Sequence, residues 1–334
     1  MIQEKSYPAA AESTANKKTV TDIFRSYFAS IAILVTFLLQ VMLPKNPTIT
    51  SKSFPWYTDL LVIAFCLAFL LATIHLFTGK AKRFTYKSYF IGGSFLVVAL
   101  YNLATLKFAL INPLFFPSPE AILNVLVEDW HFLLKCLLYS LRLLGTGLLF
   151  GIVAGLLTGI LIGWYTSWNY WLDPIVKLFG PIPSTALIPI ALSAFATSFQ
   201  ASTFLIALST WFPITILTNS GITNVKKSLF EVADTMGASD FQKITRVAIP
   251  AAMPNIFVGI FNGICSSFIT LITAEMIGVK YGIGWYINWQ RQIMGYANVY
   301  AGLIVIAITF SLIITVFFKI RDYFLRWQKG IIKW

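Results

Sequence analysis

The sequence predicts an all-α integral membrane protein with about eight transmembrane helices. Of its 334 residues, 57% are hydrophobic and 11% are charged, against about 25% charged in a typical soluble domain. The mean hydropathy is +0.76. The apolar residues also form stretches free of Asp, Glu, Lys and Arg that approach or exceed the roughly 20 residues a helix needs to cross a hydrocarbon core. These runs are Ser26–Pro44, Leu60–Gly79, Ser88–Leu106, Leu143–Leu172, Leu178–Val225, Val247–Ala274 and Gln292–Phe318. The fifth is long enough for two crossings, which brings the expected number to eight.

Residues 1–25 are polar and include Lys5, Lys17 and Lys18, without the charged, apolar and small-residue order of a cleaved signal peptide. They read as a cytoplasmic tail, with the first helix kept as an anchor. Residues 26–84 read as an extra two-helix module, joined through the basic stretch Gly79–Arg83 to a transmembrane domain over residues 85–334. With eight crossings, one side collects 18 of the 25 basic residues, including Lys226, Lys227, Lys243, Arg246, Lys319 and Arg321. Positive charge marks the cytoplasmic face, so both termini are expected there. The connection 112–139, with Glu120, Glu128 and Asp129, is expected outside as a loop. Topology accounts for the net charge of +12, and no basic stripe interleaved with aromatics points to nucleic acid. Cys66, Cys136 and Cys265 are scattered and read as core residues, and no metal-ligand spacing occurs. His75 and His131 stand alone.

The fourth helix carries Gly147, Gly151, Gly155, Gly159 and Gly163. A four-residue repeat keeps these positions near one face and admits a neighbouring backbone, so close packing is expected. The stretch Gly180–Pro189 (GPIPSTALIP) has three prolines within nine positions. Each removes an amide donor and disfavours helix before it, so the fifth helix should begin brokenly. Broken backbone at membrane depth either turns the chain or lines a cavity, which makes Pro183, Ser184 and Thr185 candidates for a translocation pathway.

The polar stretch 226–247 is expected to form two short cytoplasmic helices. Ser228–Glu231 and Ser239–Gln242 match capping boxes, in which a serine oxygen and an acid or amide side chain satisfy reciprocal amides. Gly237 suits a left-handed helix end. Glu275 and Arg142, near helix ends on the outer side, are expected to pair as a structural bridge or gate, or else to touch solute. Ser267, Thr270 and Thr273, or Ser266 with the same two threonines, share a polar face that either lines a pathway or bonds within its own helix.

At the loop the sequence resembles a known family. Glu231-Val-Ala233, Gly237 six positions after the acid, and Val247-Ala-Ile-Pro250 follow the signature loop of binding-protein-dependent (type I) ABC importer permeases. The pattern there is Glu-Ala-Ala, three residues, Gly, nine residues, Ile, one residue, Leu-Pro. Val232, Val247 and Ile249 depart from it conservatively. The resemblance extends over about Tyr86–Trp334 and is closest to the nitrate, sulfonate, taurine and bicarbonate branch. It is carried there by Phe116–Pro119 (FPSP), Ser140–Arg142 (SLR), Pro181–Pro189 and Thr273–Gly278 (TAEMIG).

The resemblance implies a six-helix core made of helices three to eight, with the first two as departures. It also implies a homodimer around one pathway in the bacterial inner membrane. Each loop 226–247 would dock on one of two cytoplasmic ATPase subunits, and an external or periplasmic solute-binding protein would deliver a small anion or zwitterion. Glu231, Ala233, Gly237, Ser239, Asp240 and Pro250 would shape the coupling knob. The chain has no phosphate loop, since its one Gly-Lys pair, Gly79-Lys80, is followed by Ala81. No catalytic residue, metal or bound cofactor is expected, and ATP and Mg2+ would be used by the partner subunits. The alternative is an ion-coupled secondary transporter working without an ATPase, which should carry buried carboxylates near the midplane of inverted repeats. An intramembrane enzyme would need a nucleophile–base pair or metal ligands within the spans, and none is seen.

Overall fold

A computed structural model describes residues 20–47, 55–78 and 82–327. Most of the N-terminal tail, the centre of the basic seam at residues 79–81, and Lys329 and Lys333 lie outside the described residues. The described chain is helical: α1 (Val20–Met42), α2 (Trp56–Thr78), α3 (Lys82–Asn102, extended by a π turn Leu103–Lys107), α4 (Pro119–Glu128), α5 (Trp130–Trp164), α6 (Thr166–Phe179), a 3-10 turn (Ser184–Leu187), α7 (Ile188–Ala194), α8 (Ser198–Thr223), α9 (Lys227–Thr235), α10 (Asp240–Lys243), a π stretch (Ile244–Ala248), α11 (Ile249–Gly278), α12 (Ile283–Gln292) and α13 (Tyr296–Phe324).

Among the described residues, seven helices are long and apolar enough to cross a membrane, and a bent pair makes an eighth span. In that pair α6 and the segment Ser184–Ala194 meet at 83°. The break falls at the proline cluster, as its missing donors require. Two boundaries differ from expectation. The run Leu143–Leu172 is not one helix, because its last residues start α6. The outer connection 112–139 holds α4 and the first ten residues of α5 rather than a loop. In this added stretch Lys135 lies over the Tyr281 ring at 5.1 Å.

The chain divides into two compact units, residues 1–124 and 125–334. In the first, α1 packs on both α2 and α3. Ile33, Tyr57, Leu61 and Ala68 form its core, and Gly92 lets the Phe28 ring approach to 2.7 Å of the place a Cβ would occupy. At one end of this unit the polar side chains turn inward. Lys107 donates to the carbonyls of Gln40 (2.7 Å) and Leu43 (2.6 Å), which end α1. Asn102 donates to Gln40 Oε1 (2.7 Å), and Glu120 accepts from Gln40 Nε2 (3.0 Å) and Lys45 (2.7 Å). Glu120, read from sequence as part of an exposed acidic loop, is 5% exposed. Burying such charges is costly unless each is bonded, and here the lysine serves as a helix C-cap. Cys66 is also not a core residue: it is exposed on α2, where a bilayer would be the solvent.

In the second unit α8 is the centre, with α5 on one side and α11 on the other. The α5 glycines face a matching row on α8. A Cβ at Gly147, Gly151, Gly155 or Gly159 would come within 2.4–2.8 Å of Ile206, Thr210, Ile214 or Thr218 respectively. At Gly151 and Gly159 it would also meet backbone carbonyls, of Ala207 at 2.7 Å and Thr215 at 2.8 Å. From the other side Gly259 and Gly263 of α11 approach the α8 backbone at Ile214 and Thr210. Without a hydrophobic effect between helices in lipid, such close contact is the main source of adhesion.

Gly151→Val forces a side chain against a carbonyl that cannot move away. Overpacking of this kind costs about 1–3 kcal/mol. Thermal melting of the purified protein in detergent is expected to fall clearly for Gly151→Val and to hold or rise for Gly145→Ala, whose Cβ would have nothing within 4 Å.

Candidate functional site

The first candidate surface is the knob between α8 and α11. Helix α9 ends at Gly237 with φ of +74°, a left-handed value that a side chain disfavours. Gly237 N–H bonds to the Asp234 carbonyl (3.0 Å) and Ala238 N–H to that of Ala233 (3.0 Å), which satisfies two orphan carbonyls in a Schellman pattern. Ser239 and Gln242 then form the expected reciprocal box at the start of α10. Lys243 joins the two helices through Asp234 and Asp240, each at 2.9 Å. The other expected box is absent: α9 is capped at Lys226 without a side-chain bond, and Ser228 lies inside the helix. Glu231 is exposed and caps nothing.

The knob is rooted inward by Phe230, edge-on to Trp164 at 5.5 Å, by buried Ala233, and by Ile222, Ala248 and Ala252 at the base of α8 and α11. Pro250 sits in the first turn of α11, where a missing donor does no harm. The opposite face is apolar and bare. Leu229, Val232 and Met236 follow one another at helical spacing, and Phe241 continues them on α10; Met236 is 81% and Phe241 74% exposed. Sequence reasoning missed this stripe, although four large apolar residues in a polar stretch were its visible signal.

The second candidate site is a cavity of about 350 Å³ at the bend between α6 and α7. It brings together Pro183, Ser184, Thr185 and Thr270 with Ser209, Trp211, Phe212 and Ser266. Ser184 and Thr270 share a hydrogen bond of 2.8 Å across the bend. Trp211 is held from behind, its indole donating to Thr158 at 3.0 Å, and Thr158 in turn pairs with Thr215 at 2.8 Å. Gly180 leaves the space that the Phe212 ring fills. The lining has hydroxyls and aromatic faces and no charged side chain. Ser266 and Thr270, not Ser267 and Thr273, turn to the cavity: Ser267 is buried and donates to the Ile264 carbonyl (2.7 Å), while Thr273 is half-buried and donates to that of Ile269 (2.9 Å).

Arg142 and Glu275 do not meet. Arg142 is exposed and lies over the Phe199 ring at 5.3 Å. Glu275, 1% exposed, accepts the Gly284 N–H at 2.8 Å, while Ser140 of α5 accepts the Ile283 N–H at 2.9 Å. Two orphan amides at the start of α12 are thus capped by side chains from α11 and α5, and the carboxylate faces the positive end of a helix. Gly282, at φ of +134°, makes room for it, since a Cβ there would stand 2.5 Å from the carboxyl. The paired glycines 282 and 284 were the available signal that Glu275 folds back on its own turn.

Residues 147–330, which hold the knob, the cavity and Glu275, match the family of the binding-protein-dependent transport system inner membrane component. The chain belongs to this family. These permeases of ABC transporters include relatives of three stated kinds. A putative aliphatic sulfonates transport permease, SsuC of Bacillus subtilis, is 33% identical over 57% of this chain. This chain covers 63% of that relative, just under two thirds of its length. The taurine transport permease TauC of Escherichia coli is 29% identical over 64% of this chain and 79% of its own length. The nitrate import permease NrtB of Leptolyngbya laminosa is 33% identical over 40% of this chain and 50% of its own. The permease is membrane-embedded, with the matched stretch reaching from α5 to the end of α13.

In this permease Glu275→Gln keeps an oxygen for Gly284 and should melt within a few degrees of wild type. Gly282→Ala adds both strain and a collision, and backbone strain of this kind alone costs about 1–3 kcal/mol. Its melting point is expected to fall further, and equal melting of the two variants would contradict the capping role.

Proposed function

We propose that this permease works as a homodimer, with two cytoplasmic ATPase subunits and an external solute-binding protein, to import a small oxyanion or zwitterion of the sulfonate, taurine or nitrate type. The observation that carries the reading is the knob: a doubly ended, salt-bridged helical pair whose exposed face is the apolar stripe Leu229, Val232, Met236 and Phe241. An isolated apolar stripe on a polar loop needs a partner to cover it. A lever that transmits nucleotide-driven movement must also keep its shape, which the Schellman turn, the capping box and Lys243 provide. Glu231, Ala233, Gly237, Ser239, Asp240 and Pro250 shape this lever: Ala233 by packing inward, Gly237 and Ser239 by ending and starting the helices, Asp240 through Lys243, Pro250 at the root of α11, and Glu231 by offering a charge on the exposed side.

The cavity at the bend suits solute passage. Ser184, Thr185, Ser209 and Ser266 can exchange hydrogen bonds with sulfonate or nitrate oxygens, and the absence of a fixed cation in the lining keeps an anion from being trapped. ATP and Mg2+ belong to the partner subunits. The N- and C-termini face the cytoplasm on the side marked by basic residues, in a bacterial inner membrane.

The test is affinity purification of the tagged chain from its host with mass spectrometry of the partners. Phe241→Asp combined with Met236→Asp should reduce co-purifying ATPase at least about tenfold, since each buried apolar side chain contributes roughly 1.5–3 kcal/mol. A wild type that purifies alone and moves solute without ATP would establish ion-coupled secondary transport instead. With assembly intact, Ser184→Ala with Thr270→Val is expected to lower uptake of sulfonate, taurine or nitrate while ATPase copurification stays unchanged.

A further inference from the structure

Among its described residues the first unit holds a cation, Arg25, with no carboxylate partner. Arg25 lies two residues inside the span that starts at Ile23, and Tyr86 and Tyr89 lie just inside the span that starts at Phe84. All three therefore stand where the chain enters the bilayer. The Arg25 guanidinium carbon is 5.6 Å from the Tyr86 ring centre and 5.9 Å from that of Tyr89. The frame beneath is fixed: Phe28 packs on Tyr89 at 5.0 Å, and the Ala29 amide donates to Ser88 at 3.1 Å.

Among the described residues no carboxylate pairs with Arg25, and its Nε is buried without an acceptor. The acids described in this unit, Asp59 and Glu120, stand at the other end of the helices. The sequence around the site, residues 17–25 and 80–87, has seven basic residues and one acid, Asp22. An arginine stacked on aromatic rings keeps its in-plane N–H groups for a bidentate acceptor, and phosphate matches that fork. At the membrane surface the abundant phosphates are lipid headgroups, which basic clusters beside membrane spans attract.

We propose that Arg25, Tyr86 and Tyr89 form a headgroup site for an anionic phospholipid. The guanidinium binds the headgroup phosphate, the two rings hold the guanidinium, and the basic residues that flank it in sequence favour a net negative lipid over a zwitterionic one. The site belongs to the unit outside the residues matched by the family and is independent of what the permease carries.

Native mass spectrometry of the full-length chain, purified in detergent with equal phosphatidylglycerol and phosphatidylcholine, tests it. Wild type should retain phosphatidylglycerol preferentially. Arg25→Gln should reduce that preference about fivefold, the equivalent of about 1 kcal/mol for one basic residue at the surface. Lys87→Gln makes the same charge change on an exposed neighbour and should change it far less, while Arg25→Lys, which keeps charge but not the fork, should fall between. Should Arg25→Gln fail to fold, Arg25→Lys and the wild-type preference decide. Equal retention of the two lipids by wild type, or equal losses in Arg25→Gln and Lys87→Gln, would overturn the site. Displacement of the lipid by millimolar inorganic phosphate would overturn the lipid assignment in favour of a free-phosphate site.

Discussion

The second unit depends on the near-contact of α5 and α8. Five glycines at every fourth position would be poor choices for a helix in water, where each costs close to 1 kcal/mol. In a bilayer they pay that cost back by removing the side chains that would hold two backbones apart. Ile206, Thr210, Ile214 and Thr218 then lie directly on the α5 backbone. Because α8 is fixed so closely, everything it carries is fixed as well: Trp211 through Thr158, Phe212 against Gly180, and α11 on its far side. The cavity wall is thus an extension of the helix pair.

The buried charges follow a common rule. Glu275 takes an N-terminal amide of α12, and Lys107 closes the C-terminal carbonyls of α1. Each ion sits where helix ends leave unpaired backbone groups, with a carboxylate at a positive end and an ammonium at a negative one. Ionisable groups inside membrane spans usually suggest solute or proton traffic. Here local folding accounts for two of them, and the cavity itself is left to neutral hydroxyls.

Much of this was legible in the sequence, for reasons that differ by element. The spans follow from uncharged length, the α5 contact from the glycine period, and the bend from the proline cluster. Gly237 and Ser239 were readable because helix ends have local chemistry that needs no tertiary information. Ser228 misled for the same reason: the motif was present, but the chain entered α9 two residues earlier, with Lys226 at the cap, and left the serine inside. The pairing of Arg142 with Glu275 was inferred from shared depth alone, which cannot reveal that Gly282 and Gly284 fold a nearer backbone onto the carboxylate. The choice between Ser266 and Ser267 turns on a rotation of 100° about α11, finer than a shared polar face can specify. The inward-turned Lys107 ends a π turn, which no local pattern announced.

The crowding of α8 also limits how a permease of this kind could diversify. Two of its faces are already filled to the backbone, so most enlargements there would separate helices rather than alter the cavity. Leu208 and Ser209 are the narrow strip left open to change. New solute preferences would therefore have to be written mainly on the neighbours, in the bend at Pro183–Thr185 and along Ser266 and Thr270, while α8 persisted as the unvaried axis around which such lineages differ.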